Sequence, residues 1–418
     1  MNPSMVVPAP LWRSSEAISS AGTGTPICRC ISAISASVAG GFSIPAVAGA
    51  LAASHHRDDD RENLPPPSFH AAAVCHEIVI SVDESTEGGP LVTASSVTFR
   101  LPDNGPVLAG VRLLPALSLP GAGMEFTHAN ECWTLLLNRP PVWRMEYRLQ
   151  LRHRDGGIEE ICDPGNDKRA PGAFGDKSVV EFPDYVRPAW LDTPATGEYL
   201  DIPGFNARLW SPGEGPMPLL VANDGPEYDR LASLTTFSAW FKIPHRVALL
   251  QPGDRDDEYS GNPDYARRLA RDLLPTIRKL VPVERPVVGM GASLGGLGML
   301  HAQRRRPGLF GGLFLQSGSF FDRRLDPQES GYSRYRRVTR FVSGIVRGTS
   351  KGKPVPVTVT CGLAEENLAN NRQMAAALVA LGYPTGLVEV PDAHNYVGWR
   401  DAFDPALADL LRTVWEGS

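Results

Sequence analysis

The chain has 418 residues, 42% of them hydrophobic and 21% charged, with 41 Lys+Arg against 46 Asp+Glu and a net charge of −5. That length allows two or three globular domains, and the composition excludes a wholly disordered chain. There is no basic excess or like-charge block of the kind that binds nucleic acid. The six cysteines, Cys28, Cys30, Cys75, Cys132, Cys162 and Cys361, lack paired C-x-x-C spacing. They indicate neither a zinc site nor a disulfide framework, and suit buried small side chains in a reducing, cytoplasmic compartment.

Residues 1–72 read as a leader and linker. ISAISASVAGGFSIPAVAGALAAS (31–54) is apolar but broken by Ser, Gly and Pro, too interrupted for a membrane span. It lies too far from Met1 for a standard signal peptide, so export through it stays the lesser alternative. HHRDDDRENLPPP (55–67) reads as a solvated, extended linker. From 73 to 190, EIVISVD, SSVTFRLPD, VRLLPAL, CWTLLL and WRMEYRLQLRHRDGG alternate apolar and polar residues and end in turn formers. Short strands at that spacing predict a small antiparallel all-β sandwich.

From 191 to 418 the pattern changes. PLLVANDG, HRVALLQPG, PVVGMGAS, GGLFLQSGS, PVPVTVTCG and TGLVEVPD are nearly continuous apolar runs, as in strands buried on both faces of a parallel sheet. Helical patterns separate them: YARRLARDLLPTIRKL, GGLGMLHAQRR, NNRQMAAALVAL and PALADLLRTVW. The alternation predicts a doubly wound, mainly parallel α/β domain with its site at the carboxyl ends of the strands.

GASLG (291–295) falls where PVVGM ends and the GGLGMLHAQ helix begins. G-x-S-x-G in a strand–turn–helix context is a nucleophile elbow, which makes Ser293 the candidate nucleophile. Gly291 and Gly295 allow the close backbone approach such a turn needs, and the Leu294 N–H at the helix start is the first candidate oxyanion donor. His394, after the last predicted strand, is the candidate base, because the order in this fold is Ser, acid, His. His301 lies inside the helix after Ser293, and His245 opens a strand away from the expected site. The acid comes from VTVTCGLAEENLANN, where Glu365 is preferred and Glu366 remains the alternative. A second oxyanion donor is expected from the Asp224-Gly225-Pro226 loop, at Gly225, since proline has no N–H to give.

Together these motifs resemble the enterochelin (ferric enterobactin) esterases of the esterase-D-like α/β-hydrolases. The resemblance is carried by PLLVANDGPEY, by RDDEYSGNPDYARRLARDLLPTI (255–277) and by MGASLGGLGMLHAQRRRPGLFGGLFLQSGSFF (290–321), with CGLAEENLANNRQM and DAHNYVGWRDAF. It spans 195–415 and, more loosely, 75–190, and it implies an α/β hydrolase preceded by an immunoglobulin-like β domain. It also implies Ser293, His394 and Glu365 as the triad, with Arg255 near an anionic ferric catecholate substrate. No metal site or organic cofactor is implied, iron being part of the substrate, and neither a nucleic-acid partner nor membrane insertion is expected. Where the family often carries tryptophan after Gln-Ser-Gly-Ser, this chain has Phe320-Phe321-Asp322, which leaves the pocket open to difference. The residues alone also admit a local ion pair of Arg255 with Asp256, Asp257 or Glu258. Two further alternatives are an esterase or acyltransferase for another aryl or acyl ester, and a non-catalytic siderophore- or glycan-binding protein.

Overall fold

A computed structural model describes residues 88–103, 108–349 and 352–417. The leader and linker expectations and the EIVISVD strand lie outside these residues.

Among its described residues the N-terminal region forms nine strands: β1 (Leu91–Val92), β2 (Ser96–Pro102), β3 (Leu108–Pro115), β4 (Thr127–Ala129), β5 (Cys132–Asn138), β6 (Arg144–His153), β7 (Ile158–Ile161), β8 (Arg169–Ala170) and β9 (Lys177–Glu181). They pair antiparallel in two sheets, ordered β1-β2-β5-β4 and β3-β6-β9-β8, with β7 on the free side of β6. Val97, Phe99 and Leu101 of β2 point inward with Trp133, Leu135 and Leu137 of β5, and meet Val111, Leu113, Met145, Tyr147 and Leu149 of the other sheet. Phe99 and Tyr147 pack edge to face with centroids 4.9 Å apart, an arrangement that aromatic quadrupoles favour. Two sheets sharing one core make a sandwich.

The second region has one eight-stranded sheet built from β10 (Glu198–Asp201), β11 (Ala207–Ser211), β12 (Leu219–Asn223), β13 (Arg246–Leu250), β14 (Val288–Ala292), β15 (Gly312–Gln316), β16 (Val357–Gly362) and β17 (Thr385–Val390). Its order is β10-β11-β13-β12-β14-β15-β16-β17. Every pair from β13 to β17 is parallel, whereas β10–β11 and β11–β13 are antiparallel. The sheet is therefore mixed. Neither β10 nor β11 was foreseen: β10, at the edge, is exposed along its whole length with no apolar run to mark it, and β11, inside the sheet, is a short run, ARLWS, interrupted by the exposed Arg208. β12 and β13 progress toward one edge and β14 to β17 toward the other, so the chain reverses direction between β12 and β14. A crevice opens at such a reversal, at the carboxyl ends of the flanking strands.

Helices cover both faces: α1 (Gly225–Ala232), α2 (Leu234–Trp240), α3 (Arg255–Tyr259), α4 (Pro263–Arg268), α5 (Leu274–Leu280), α6 (Leu294–Arg305), α7 (Tyr335–Val346), α8 (Leu368–Ala380), α9 (Tyr396–Asp401) and α10 (Ala408–Glu416). The single helix expected over YARRLARDLLPTIRKL is α4 and α5 joined by a π-helical turn at Leu269–Leu273, where the Leu274 N–H reaches back to the Leu269 carbonyl. Pro275 explains the widening, since it has no N–H and its ring crowds the carbonyl four residues earlier. Pro405 sits in a second π turn, Phe403–Leu407, ahead of α10. Among the described residues no helix is long and apolar enough to cross a membrane.

His245 is fully buried at the start of β13, its Nδ1 2.8 Å from the Ile243 carbonyl and its Nε2 3.0 Å from the Ser238 hydroxyl. Burial pushes its pKa down to about 4, and burial does the same to His301 against Phe341 in the helical layer. An unfolded histidine takes up its proton near pH 6.5, and the folded one does so only near 4. Stability supplied by neutral His245 is therefore present above about 6.5 and falls as pH drops toward 4. We expect His245→Gln to flatten the dependence of urea-unfolding free energy on pH between 6.5 and 4.5. An unchanged slope would refute this account.

Candidate active site

β14 runs into α6 through Ser293, whose backbone sits at φ 56°, ψ −125°. A non-glycine residue is rarely found there, and such strain persists only where its surroundings over-determine it. Three hydrogen bonds do so. The Ser293 N–H donates to the Gln316 carbonyl at 2.9 Å, its carbonyl accepts from Ser319 N–H at 3.1 Å, and the Asn223 amide donates to the Gly295 carbonyl at 2.9 Å. The glycines answer to the same geometry. A Cβ on Gly291 would stand 2.5 Å from the Gly295 carbonyl carbon, and one on Gly295 would stand 3.2 Å from both Asn223 Cβ and Asp224 Oδ2. Leu294 is the first residue of α6, so its N–H is among the donors a helix leaves unbonded at its positive end.

β16 ends in a turn that carries Glu365, and β17 ends in the loop that carries His394. His394 Nδ1 lies 2.8 Å from Glu365 Oε2, with the carboxylate side chain only 1% exposed and the imidazole 15%. Glu365 Oε1 accepts from the Gly362 N–H at 2.7 Å and the Ser317 hydroxyl at 2.6 Å, and Trp399 Nε1–H in turn donates to Ser317 at 2.9 Å. A carboxylate facing Nδ1 places the ring proton there, which leaves the lone pair on Nε2. Nε2 is buried and holds no hydrogen bond, and the ring stands edge-on to Trp399 at 5.0 Å. The Ser293 hydroxyl pairs instead with the Ser319 hydroxyl at 3.1 Å. An imidazole nitrogen without a partner and a hydroxyl resting on another group are the arrangement expected of a candidate base and nucleophile before substrate binds. Cys361 shares this neighbourhood, but burial and Glu365 push its thiol pKa far up, so it stays protonated and unreactive.

Asp224 and Gly225 close the other side. Asp224 is left-handed, at φ 52°, and its N–H donates to the Tyr259 hydroxyl at 3.2 Å. Gly225 opens α1, and a Cβ there would stand 2.3 Å from Leu249 Cα. Glycine is thus required for packing on β13, while its N–H is one of the first-turn donors that α1 leaves unbonded. The partner of Arg255 is Asp224 rather than Asp256, Asp257 or Glu258. Arg255 Nε lies 2.9 Å from Oδ1 and Nη2 2.8 Å from Oδ2, a two-pronged pair that engages the edge of the guanidinium. The pair also neutralises a carboxylate beside the elbow.

The structure brings Ser293, Leu294, Gly225 and Arg255 together around the reversal between β12 and β14, and pairs Glu365 with His394 at the ends of β16 and β17. Glu366 takes no part in that pair. The sequence reading assigned no role to Ser317, Ser319, Trp399 or the two asparagines that hold the loop after β15. Asn367 Nδ2 donates to the Ser317 carbonyl at 2.8 Å, and Asn371 bonds both the N–H and the carbonyl of Gly318, each at 2.9 Å. The Gln-Ser-Gly-Ser and Asn-Asn runs were visible, but nothing in one dimension says that they touch. Phe320 and Phe321 are core residues, Phe321 packing near Tyr332 and Tyr335, so their departure from the family pattern alters packing rather than an open pocket wall.

Residues 209–410 match the Esterase family, described as "Putative esterase". The chain is 25% identical to the iron(III) enterobactin esterase of Escherichia coli K12 over 304 residues, covering 64% of this chain and 72% of that one. It is 32% identical to the iron(III) enterobactin esterase of Dickeya dadantii over 144 residues, 31% of each. The fold matches the enterobactin esterase of Shigella flexneri, crystallised in the presence of enterobactin, with a TM-score of 0.63, 19% identity, and coverage of 78% of this chain and 97% of that one. The chain thus carries an esterase region and is similar to iron(III) enterobactin esterases. It is a carboxylic ester hydrolase with an α/β-hydrolase fold and a mixed sheet.

The glycine contact at the elbow of this esterase is open to test. We expect Gly291→Ala to lower stability by about 1–3 kcal/mol through overpacking and to slow fluorophosphonate labelling sharply. Gly386→Ala, where an added Cβ meets nothing within 4 Å, serves as the control and should leave both unchanged. Equal behaviour of the two variants would contradict the steric account.

Proposed function

We propose that this esterase hydrolyses the ester (lactone) bonds of a catecholate siderophore of the enterobactin type through an acyl-enzyme on Ser293. The observation that carries the chemistry is the Glu365–His394 contact at 2.8 Å, with Nε2 left uncommitted. The substrate class rests on the kinship with iron(III) enterobactin esterases over 64% of the chain.

In this mechanism Ser293 Oγ attacks the ester carbonyl and its proton passes to His394 Nε2. Glu365 holds the imidazole by Nδ1 and stabilises the imidazolium. Negative charge gathers on the former carbonyl oxygen, facing the Leu294 and Gly225 N–H groups at the starts of α6 and α1. The ester C–O bond then breaks, and His394 returns the proton to the leaving alcohol. Water, deprotonated by His394, attacks the acyl-enzyme and releases the acid and free Ser293. Nucleophile, base and oxyanion donors all come from the chain, so iron enters only as cargo of the substrate.

Arg255 keeps Nη1 beyond its pair with Asp224, and this group suits an anionic catecholate. Cutting the lactone lowers the effective concentration with which three linked catechols hold iron, and so favours its release. We read 73–190 as an immunoglobulin-like domain and 191–418 as the catalytic domain, on the sandwich and the mixed sheet respectively. Sparse cysteines support a cytoplasmic setting.

Ferric and iron-free catecholate trilactone, followed by mass spectrometry, provide the test. We expect linear trimer, dimer and monomer to appear with wild type and none with Ser293→Ala, while Glu365→Gln loses roughly 10²–10⁴-fold in kcat. Hydrolysis that survives Ser293→Ala would sink the mechanism. Turnover of a simple aryl ester with the trilactone untouched would keep the mechanism and discard the substrate.

A further inference from the structure

The alternation of β6 assigns Arg144, Glu146, Arg148, Gln150 and Arg152 to one face, the face that the sequence marks for solvent. Arg152 is open, but the side chains of Arg144 and Glu146 are each only 3% exposed. The His394 loop of the catalytic region covers them. Arg144 Nη1 lies 3.4 Å from Asp392 Oδ2, and Nη2 lies 3.7 Å from Glu146 Oε1. Lys177 approaches Glu146 at 3.2 Å, and the Arg144 guanidinium lies over the Tyr185 ring at 5.6 Å. Tyr185 donates to Asp401 of α9 at 2.9 Å and accepts from Arg400 at 3.0 Å. Burial raises the Asp392 pKa to about 6, with Arg144 opposing the rise. Sinking charges this deep costs desolvation, and an apolar pair would fill the same space, so packing alone does not account for them.

Asp392 stands two residues before His394 and brackets it. Its Oδ1 accepts from the Ala393 N–H at 2.7 Å and from the Asn395 amide at 2.8 Å, and Asn395 in turn caps α9 by accepting the Gly398 N–H at 2.7 Å. Beside Arg144, the Trp143 N–H donates to the Pro391 carbonyl at 2.7 Å. Ala393 is buried in the sandwich core, and Ala364, the residue before Glu365, packs against that core. The Ala364 N–H also donates to the Asp392 carbonyl at 3.2 Å. The loops carrying the acid and the base are thus tied to each other and to the β sandwich.

We propose that Arg144 is a positioning residue for His394. From the β sandwich it fixes the Asp392 carboxylate, and through it the backbone on both sides of the imidazole, which makes the sandwich a working part of the active site. Arg144 touches no reacting atom; its effect passes through Asp392. The proposal rests on the reading of His394 as the base.

The test compares full-length wild type, Arg144→Met, Arg144→Lys and the double variant Arg144→Met/Asp392→Asn. Each is assayed for hydrolysis of 4-nitrophenyl acetate and for the rate of fluorophosphonate labelling at Ser293, below a measured melting temperature. A displaced base should cost about 10- to 100-fold in kcat with KM within about twofold, labelling should slow in parallel, and Arg144→Lys should recover part of the loss. The double variant leaves no unpaired buried carboxylate, so it should regain thermal stability yet stay slow; it decides the matter even if Arg144→Met fails to fold. Wild-type kcat in a folded Arg144→Met, or in the double variant, overturns the proposal. Absence of Ser293 labelling in wild type overturns the esterase mechanism instead.

Discussion

The close approach of two stretches of backbone, Gly291 at the end of β14 and Gly295 in the first turn of α6, is the constraint on which the site depends. It forces the chain to turn at Ser293 through a conformation that costs of order 1–3 kcal/mol. The cost is offset where the strained peptides are bonded: to the Gln316 carbonyl, to the Ser319 N–H and, through Gly295, to the Asn223 amide. The hydroxyl then stands at the head of α6, where helix donors face any oxygen that becomes negative beside it. Were the turn relaxed, neither the hydroxyl nor those donors would stand at the crevice between β12 and β14.

Charge is handled by pairing throughout. Glu365 is almost wholly enclosed, yet it accepts from His394, Gly362 and Ser317, so a deep carboxylate has its lone pairs used. Asp224 beside the elbow is matched by the fork of Arg255, and Asp392 behind His394 by Arg144. The three carboxylates around the site thus differ in partner: an imidazole that exchanges protons, and two guanidiniums that do not. Only the first is suited to acid–base chemistry, and it is the one nearest an uncommitted nitrogen.

Much of this was legible in one dimension. Five strands of the catalytic sheet, β12 to β16, are buried and announced themselves as apolar runs, because a strand covered on both faces needs no polar alternation. β17, expected to be buried on both faces as well, lies at the edge and alternates between covered and exposed residues. The elbow was legible because its sterics permit so few residue types around Ser293. Less was legible where an element lacks such a demand. β10 is exposed throughout, and the helix before Val281 read as continuous until Pro275 widened it into a π turn. The burial of Arg144 and Glu146 was not legible either, because alternation reports only the strand's own sheet, not what later docks on its outer face.

What the sequence determined by itself was local: the turn at Ser293 and the change from alternating to continuous apolar runs that separates the two regions. Each follows from sterics or from periodicity within a few residues. Tertiary structure decided which carboxylate meets His394, which partner takes the fork of Arg255, what holds the Gln316–Ser319 loop, and that the β sandwich contacts the loop of His394 through Arg144 and Trp143. Those outcomes depend on distances between residues separated by 29 to 248 positions along the chain, and such distances exist only once the sheet order and the packing of the two regions have been set.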